Sequence, residues 1–465
     1  MPPGPGGAGQ LSRRHRVVAR IVVAAPASGS GKTTVATGLM AALRRRGERV
    51  APFKVGPDYI DPGYHTLASA RAARNLDPVL VGEERIAPLF AHGARDADIA
   101  VVEGVMGMFD GRSATADFGS TAHLAKLLAA PVLLVVDAWG QARSMAALVH
   151  GFRSFDPGVR LAGVVANKVG SAAHARLLAE ACEETGLPLL GALRRAEHIE
   201  LPSRHLGLVT AAEHGAEATG AIDAMAELVG RGVDLDAVSR VASAAPELNV
   251  PPWRPDDEVG AAAGEPVVAV AGGAAFTFGY AEHVELLRAA GSRVAVFDPL
   301  RDERLPDGTA GLVLPGGFPE EHVEDLSANA ALRAEVAAFV RAGGPVHAEC
   351  GGLLYLGREL DGLPMCGVLD SRAVMSERLS LGYRDAVAPA DSVLHPAGAR
   401  VRGHEFHRTT VEPAHGSSPA WFWQDGAGQT ITEGFADGRV HASYLHTHPA
   451  GNPGAITRFV QECTA

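Results

Sequence analysis

The sequence predicts an α/β protein of two domains, each built on its own parallel sheet, and three observations carry this reading. Apolar runs typical of fully buried strands recur at 21–25, 50–55, 99–102, 132–136 and 161–166, with helical patterns such as 32–46, 121–130 and 173–186 between them. The alternation lapses over 233–264, where Pro251-Pro252 and Asp256-Asp257-Glu258 read as a linker with a short helix. It restarts with runs at 267–271, 293–297, 311–314 and 345–348. The length of 465 residues, 47% of them hydrophobic, exceeds the roughly 250–300 residues at which a single core stops growing. The expected layout is a Pro- and Gly-rich disordered tail over 1–15, a first α/β domain over 16–232, the linker over 233–264 and a second α/β domain over 265–465. The last of these ends in a β-rich stretch around 440–445.

The first apolar run empties into Pro26-Ala27-Ser28-Gly29-Ser30-Gly31-Lys32-Thr33-Thr34, after which an amphipathic helix begins. This is a P-loop in its proper setting, with Ser28 through Gly31 supplying backbone N–H groups to phosphate at the positive end of a helix. Lys32 adds a point charge for the outer phosphates, and the hydroxyls of Thr33 and Thr34 begin the helix, with Thr33 placed for magnesium. Pro26 stands where the usual pattern has glycine. The run 99–102 ends on Glu103, and a carboxylate closing an apolar strand is expensive to bury without a partner, which points to a metal-orienting role. Asp110, in the following Gly104-Val-Met-Gly-Met-Phe-Asp-Gly111 loop, is expected nearby, steering either the metal or an acceptor. Asn167 and Lys168, at the end of the 161–166 run, suit an adenine-side contact by position, although a helix N-cap accounts for Asn167 about as well.

The second half offers a different chemistry. Pro345-Val-His-Ala-Glu-Cys350-Gly351-Gly352 is a strand, a cysteine among small neighbours and a helix, the arrangement of a nucleophile elbow. At the positive end of that helix Cys350 is expected to have a lowered pKa. Gly317, in the turn after the 311–314 run, and Gly351 are the candidate oxyanion N–H donors. A base is needed, and His446 is preferred to His448 in the Ser443-Tyr-Leu-His-Thr-His448 stretch. Cys182, Cys366 and Cys463 lack such a context. A metal site in Gly403-His404-Glu405-Phe406-His407 is not favoured.

The formal charge of −11 argues against a nucleic-acid partner. Four cysteines without paired or metal-type spacing suit a reducing, cytoplasmic compartment. The basic residues 13–16 before an apolar run resemble a secretory signal, but Arg20 interrupts the run and the apparent cleavage site falls inside the P-loop. No apolar segment is long enough for a membrane span. The expected partners are small molecules, with a homodimer left open.

Taken together, the motifs resemble those of the cobyrinic acid a,c-diamide synthase family. They are Phe53-Lys-Val-Gly-Pro-Asp-Tyr-Ile-Asp-Pro62, Arg74-Asn-Leu-Asp-Pro78, Glu103 through Gly111, Ala348-Glu-Cys-Gly-Gly352, Leu379-Ser-Leu-Gly-Tyr383, Gly403 through His407 and Ser443 through His446, so nearly the whole chain is covered. The resemblance implies a dethiobiotin-synthetase-like P-loop domain followed by a flavodoxin-like class I glutamine amidotransferase domain. It implies that Cys350 and His446 release ammonia from glutamine, with no acid two residues after His446 to complete a triad. It further implies that ATP and Mg2+, held by the P-loop with Thr33, Asp58, Asp61 and Glu103, activate carboxylates of a tetrapyrrole polyacid as acyl phosphates, with Asp110 orienting the acceptor. Cobalt-containing, metal-free and nickel tetrapyrroles all remain open as acceptors. Cobyric acid synthase is the nearer alternative. A partitioning-type nucleotide switch is the alternative of another class, opposed by Ala27, where such switches carry a second lysine, and by the unexplained elbow cysteine.

Overall fold

The computed structural model describes residues 18–112, 117–195, 203–204, 207–208, 210, 212 and 215–465. The expected tail over 1–15 lies outside them. Seven parallel strands form the first sheet, β1 (Ala19–Ala24), β2 (Val50–Val55), β3 (Arg74–Leu76), β4 (Ile99–Glu103), β5 (Val132–Asp137), β6 (Leu161–Val169) and β7 (Leu189–Arg194), and the five apolar runs of the first half fall in β1, β2, β4, β5 and β6. The strands lie in the order β3-β2-β4-β1-β5-β6-β7. β1 therefore has β4 on one side and β5 on the other, and their carboxyl ends open on one crevice where ligands of such sheets bind.

Helix α1 (Lys32–Arg45) starts at Gly31, whose φ of 98° is left-handed and accessible mainly to glycine. It buries Val35, Leu39, Met40 and Leu43 and carries Arg44 and Arg45 in its last turn, where cations complement the helix dipole. Gly38 lets the helix Gly215–Gly232 approach, because a Cβ there would lie 2.6 Å from the Met225 carbonyl oxygen. Arg20, which breaks the first apolar run, is buried within β1 and donates through Nε to the Leu128 carbonyl at 2.7 Å.

The stretch 233–264, expected as a linker with a short helix, does contain short helices and is packed against its neighbours. Asp234 caps a helix, Leu235–Ser243, by accepting from the Ala237 N–H, and Leu235, Val238 and Ala242 join the core under α1. Beyond the two prolines, buried Trp253 donates its backbone N–H to the Pro88 carbonyl and its indole N–H to Glu258. Composition marks this region as loose, yet one aromatic and three spaced apolar side chains tie it down.

The second domain has a five-stranded parallel sheet in the order Arg293–Phe297, Val267–Ala271, Thr309–Leu314, Val346–Glu349, Val440–Ser443. A long antiparallel hairpin, Arg372–Val387 with Arg400–Glu412, builds a second sheet beside it. The expected β-rich stretch around 440–445 is thus divided. Val440–Ser443 completes the parallel sheet, and His446–Thr447 crosses to pair with the hairpin, placing His446 opposite His404.

Candidate active sites

The phosphate loop is shaped by close approaches that only glycine permits. A Cβ on Gly31 would lie 2.2 Å from Asn167 Nδ2, and that same amide donates to the Ser30 carbonyl at 3.1 Å. Asn167 therefore braces the loop from β6, while Lys168 Nζ is held by Asp137 at 2.7 Å. Ser28 and Gly29 are exposed at the loop tip, and Thr34 is half-buried one residue beyond Thr33. Lys32 Nζ donates to the Met106 carbonyl at 2.6 Å, which ties the P-loop to the loop after β4. Burial, followed by the charge of Lys54, lowers its pKa.

Beneath the loop lies a buried polar cluster. Thr33 Oγ1 donates to Glu103 Oε1 at 2.6 Å and lies 3.4 Å from Asp61 Oδ2. Lys54 Nζ bonds Asp61 Oδ2 at 2.6 Å and Glu103 Oε1 at 2.9 Å, and His65 Nε2 lies 2.6 Å from Glu103 Oε2. Burial alone would lower the Lys54 pKa, but Asp61, Glu103 and Asp58 hold the ammonium above the ordinary lysine range. Burial would likewise raise Glu103, yet Lys54, His65 and Thr33 hold it well below the carboxylate range. Thr33, Asp61 and Glu103 thus aim hard oxygen donors at one place beside the phosphate cradle, a donor set suited to a cation that keeps waters and substrate phosphates as its other ligands.

Asp58 sits at the edge of this group. Its Oδ1 accepts from the N–H groups of Ile60 and Asp61, which starts the helix α2 (Asp61–Ser69), and its Oδ2 is 3.9 Å from Lys54 Nζ. Asp110 is exposed at the crevice and accepts from the Gly107 N–H at 3.0 Å. Lys54 and His65 were not among the expected site residues. Lys54 has a sequence signal, a charge inside the strand Val50–Val55 that is buried end to end. His65 has none, because its role depends on α2 folding back over Glu103.

The second site forms at the elbow. Cys350 has φ 45° and ψ −100°, an unusual conformation for a residue with a side chain, and its N–H donates to the Ser443 carbonyl at 2.7 Å. A Cβ on Gly352 would lie 2.1 Å from the Leu314 carbonyl oxygen, so the helix Gly351–Leu356 can leave the strand only without one. A Cβ on Gly351 would lie 3.0 Å from the Gly317 nitrogen, and one on Gly316 would lie 2.3 Å from His446 Cε1. Gly317 is therefore a close neighbour of Gly351 at the elbow, and His446 packs against Gly316 beside it.

The electrostatics correct one expectation. Burial pushes the Cys350 thiol well above its ordinary range, with Glu320 adding to the effect, and the residue is 3% exposed. A six-residue helix end does not offset that desolvation, so the thiolate needs a base at hand. Both ring nitrogens of His446 are buried without a hydrogen-bond partner among the described residues. His448 lies with its ring tilted 33° against Tyr280 at 4.2 Å and caps a 3-10 turn by accepting from the Ala450 N–H. Glu405 is engaged by Arg384 at 2.6 Å.

The two sites meet at the domain boundary. Tyr59, next to Asp58, stacks on Phe278 at 5.0 Å and lies 4.9 Å from the ring of His446. Arg74 reaches Glu282 and Glu285, and Asp77 accepts from Tyr383 Oη at 2.9 Å. The motifs around Arg74 and Tyr383 thus join the two halves.

Residues 21–209 match the CobQ/CobB/MinD/ParA nucleotide binding domain, and residues 267–453 match the CobB/CobQ-like glutamine amidotransferase domain. A Streptomyces coelicolor protein named hydrogenobyrinate a,c-diamide synthase is 57% identical, covering 96% of this chain and 98% of the relative. A Mycobacterium tuberculosis protein of the same name is 58% identical over 95% of this chain and 97% of its own. A Synechococcus protein named cobyrinate a,c-diamide synthase is 41% identical over 95% and 98%. Among the described residues no helix is long and apolar enough to cross a membrane. With a nucleotide-binding half joined to an amidotransferase half and full-length relatives on both sides of the acceptor question, the chain belongs to the hydrogenobyrinate and cobyrinate a,c-diamide synthase family.

Proposed function

We propose that this enzyme amidates the a and c acetate side chains of metal-free hydrogenobyrinic acid, using glutamine and ATP. The observation that carries the choice of acceptor is the identity gradient, 52–58% to relatives named for hydrogenobyrinate against 41–44% to those named for cobyrinate.

Cys350 passes its thiol proton toward His446, and the sulfur attacks the side-chain amide carbon of glutamine. The N–H groups of Gly317 and Gly351 hold the oxyanion, ammonia departs, and water hydrolyses the thioester to glutamate. In the other domain the Ser28–Thr34 loop cradles ATP, and Asp110 orients the acceptor carboxylate, which attacks the γ-phosphorus and displaces ADP. Ammonia then displaces phosphate from the acyl phosphate to leave the amide. Thr33, Asp61 and Glu103, with Asp58 at the rim, are the oxygens suited to hold Mg2+, which supplies charge neutralisation on the phosphates when bound. Lys54 keeps Glu103 ionised and fixes both buried carboxylates in place, although burial and Asp58 push the Asp61 carboxyl up. Asn167 and Lys168 line the nucleotide side of the loop. The net acidity and the absence of any apolar helix of membrane length among the described residues fit a cytoplasmic enzyme of small molecules.

The test is to incubate the protein with ATP, magnesium and glutamine, adding hydrogenobyrinic or cobyrinic acid, and weigh the products. Two successive amidations of the metal-free acid, with slower turnover of the cobalt form, are expected. Preferential amidation of the cobalt form would overturn the choice of acceptor.

A further inference from the structure

The position two residues after His446, where a triad acid would stand, is held by His448, which is committed to its cap and to Tyr280. A carboxylate reaches His446 from another direction. Glu349 is the last residue of the strand Val346–Glu349, directly before Cys350, and its Oε2 lies 3.7 Å from His446 Nδ1. The other oxygen, Oε1, is fully engaged. It accepts from the Thr447 N–H at 3.1 Å and the Thr447 hydroxyl at 2.9 Å, and His347 Nε2 lies 3.2 Å away. The residue following the base thus clamps one carboxylate oxygen and leaves the second facing the imidazole.

At 3.7 Å the contact is an ion-pair distance rather than a hydrogen bond, and a small ring shift closes it. Among the described residues the imidazole has no competing acceptor, since its nitrogens have no other partner there. The other titratable groups around it are Tyr59 from the first domain, His404 across the strand pair and Cys350. None of these is a permanent anion.

We infer that Glu349 is the positioning carboxylate of the glutaminase site: it fixes the Nδ1–H tautomer of His446, turns Nε2 toward the Cys350 thiol and stabilises the imidazolium formed when the thiol proton is taken. Burial would raise the Glu349 pKa, but His347 and His446 hold it well below the ordinary range, so the carboxylate is present as an anion. The triad acid of this enzyme therefore precedes the nucleophile in the chain instead of following the base. The inference rests on the Cys350 and His446 assignment above.

The experiment uses the full chain carrying Glu349→Gln, Glu349→Asp, Thr447→Val or Cys350→Ser. Glutamine-dependent and ammonia-dependent amidation are compared, and the rate of Cys350 alkylation by iodoacetamide is followed against pH, with Cys350→Ser as background. Glu349→Gln should lower the glutamine-dependent kcat about 100-fold, with little change in KM for glutamine, leave the ammonia-dependent rate intact and move the alkylation profile to higher pH. Glu349→Asp should recover part of the rate. Thr447→Val, which keeps the charge and loosens only one hold on it, should lose several-fold. A glutamine-dependent rate within two-fold of wild type in Glu349→Gln, or a lower rate with an unmoved alkylation profile, would overturn the inference. Retention of glutamine-dependent amidation by Cys350→Ser would instead overturn the site on which it rests.

Discussion

Tyr59 and His446 lie ring to ring at 4.9 Å although one belongs to the phosphate-binding half and the other to the amidotransferase half. Tyr59 stands between Asp58, which starts α2, and Ile60, whose N–H donates to Asp58 Oδ1. The contact gives each site a direct mechanical neighbour in the other.

Replacing Tyr59 by Ala removes the ring that seals the histidine from the first domain. The expected outcome is a rise in glutamine hydrolysed per amide formed, measured as the ratio of glutamate to amidated product. A ratio unchanged from wild type would mean that the contact is packing alone.

Lys54 is 3% exposed and binds two carboxylates that are themselves buried. Lys54→Met leaves Asp61 and Glu103 facing each other without a cation, a change that destabilises by about 3–5 kcal/mol in comparable buried pairs. The variant should melt well below wild type and lose ammonia-dependent amidation as well. Retained melting temperature and rate would show that the carboxylates are held by Thr33 and His65 without the lysine.

Arg74 ties the halves together through Glu282, itself 1% exposed, and Glu285. Arg74→Ala strands Glu282 and should cost about 3 kcal/mol or more in thermal or denaturant unfolding. Arg74→Lys, which loses the paired contact but keeps the charge, should fall between the two.

Glu433 supplies a pH test. It accepts from Ser443 Oγ and the Tyr444 N–H, both at 2.7 Å, but burial pushes its carboxyl up to about 8. The folded protein holds this proton more tightly than the unfolded chain, so its contribution is complete below about pH 4.5 and fades as pH rises through about 8. Glu433→Gln stays neutral throughout. Melting curves should show the variant gaining on wild type between neutral and alkaline pH, and a constant difference across that range would contradict the assignment.

What the sequence revealed and what it hid follow from how local each signal is. The P-loop, Glu103 at its strand end and the elbow around Cys350 are written in consecutive residues, because a strand, a turn and a helix are contiguous in the chain. The runs that became β1, β2, β4, β5 and β6 were legible for the same reason. Three-residue β3 is too short to show a period, and the hairpin Arg372–Val387 with Arg400–Glu412 is held by pairing that no single stretch displays. The thiol of Cys350 illustrates the other failure. Helix position argued for a low pKa, but burial is a property of the assembled domain and outweighs it. In the 233–264 region two prolines and an acidic run mark a linker in the composition, while the packing of Leu235, Val238 and Trp253 depends on distant partners that no local stretch displays.

One centre frees ammonia from glutamine and the other consumes ATP to accept it. The direct measurement is the product mass from Cys350→Ser supplied in turn with glutamine and with ammonium ion, alongside ATP, magnesium and hydrogenobyrinic acid. The expected products are the diamide with ammonium and unaltered acid with glutamine. Diamide from glutamine, or no amide from either source in a variant that melts like wild type, would contradict this division between the two centres.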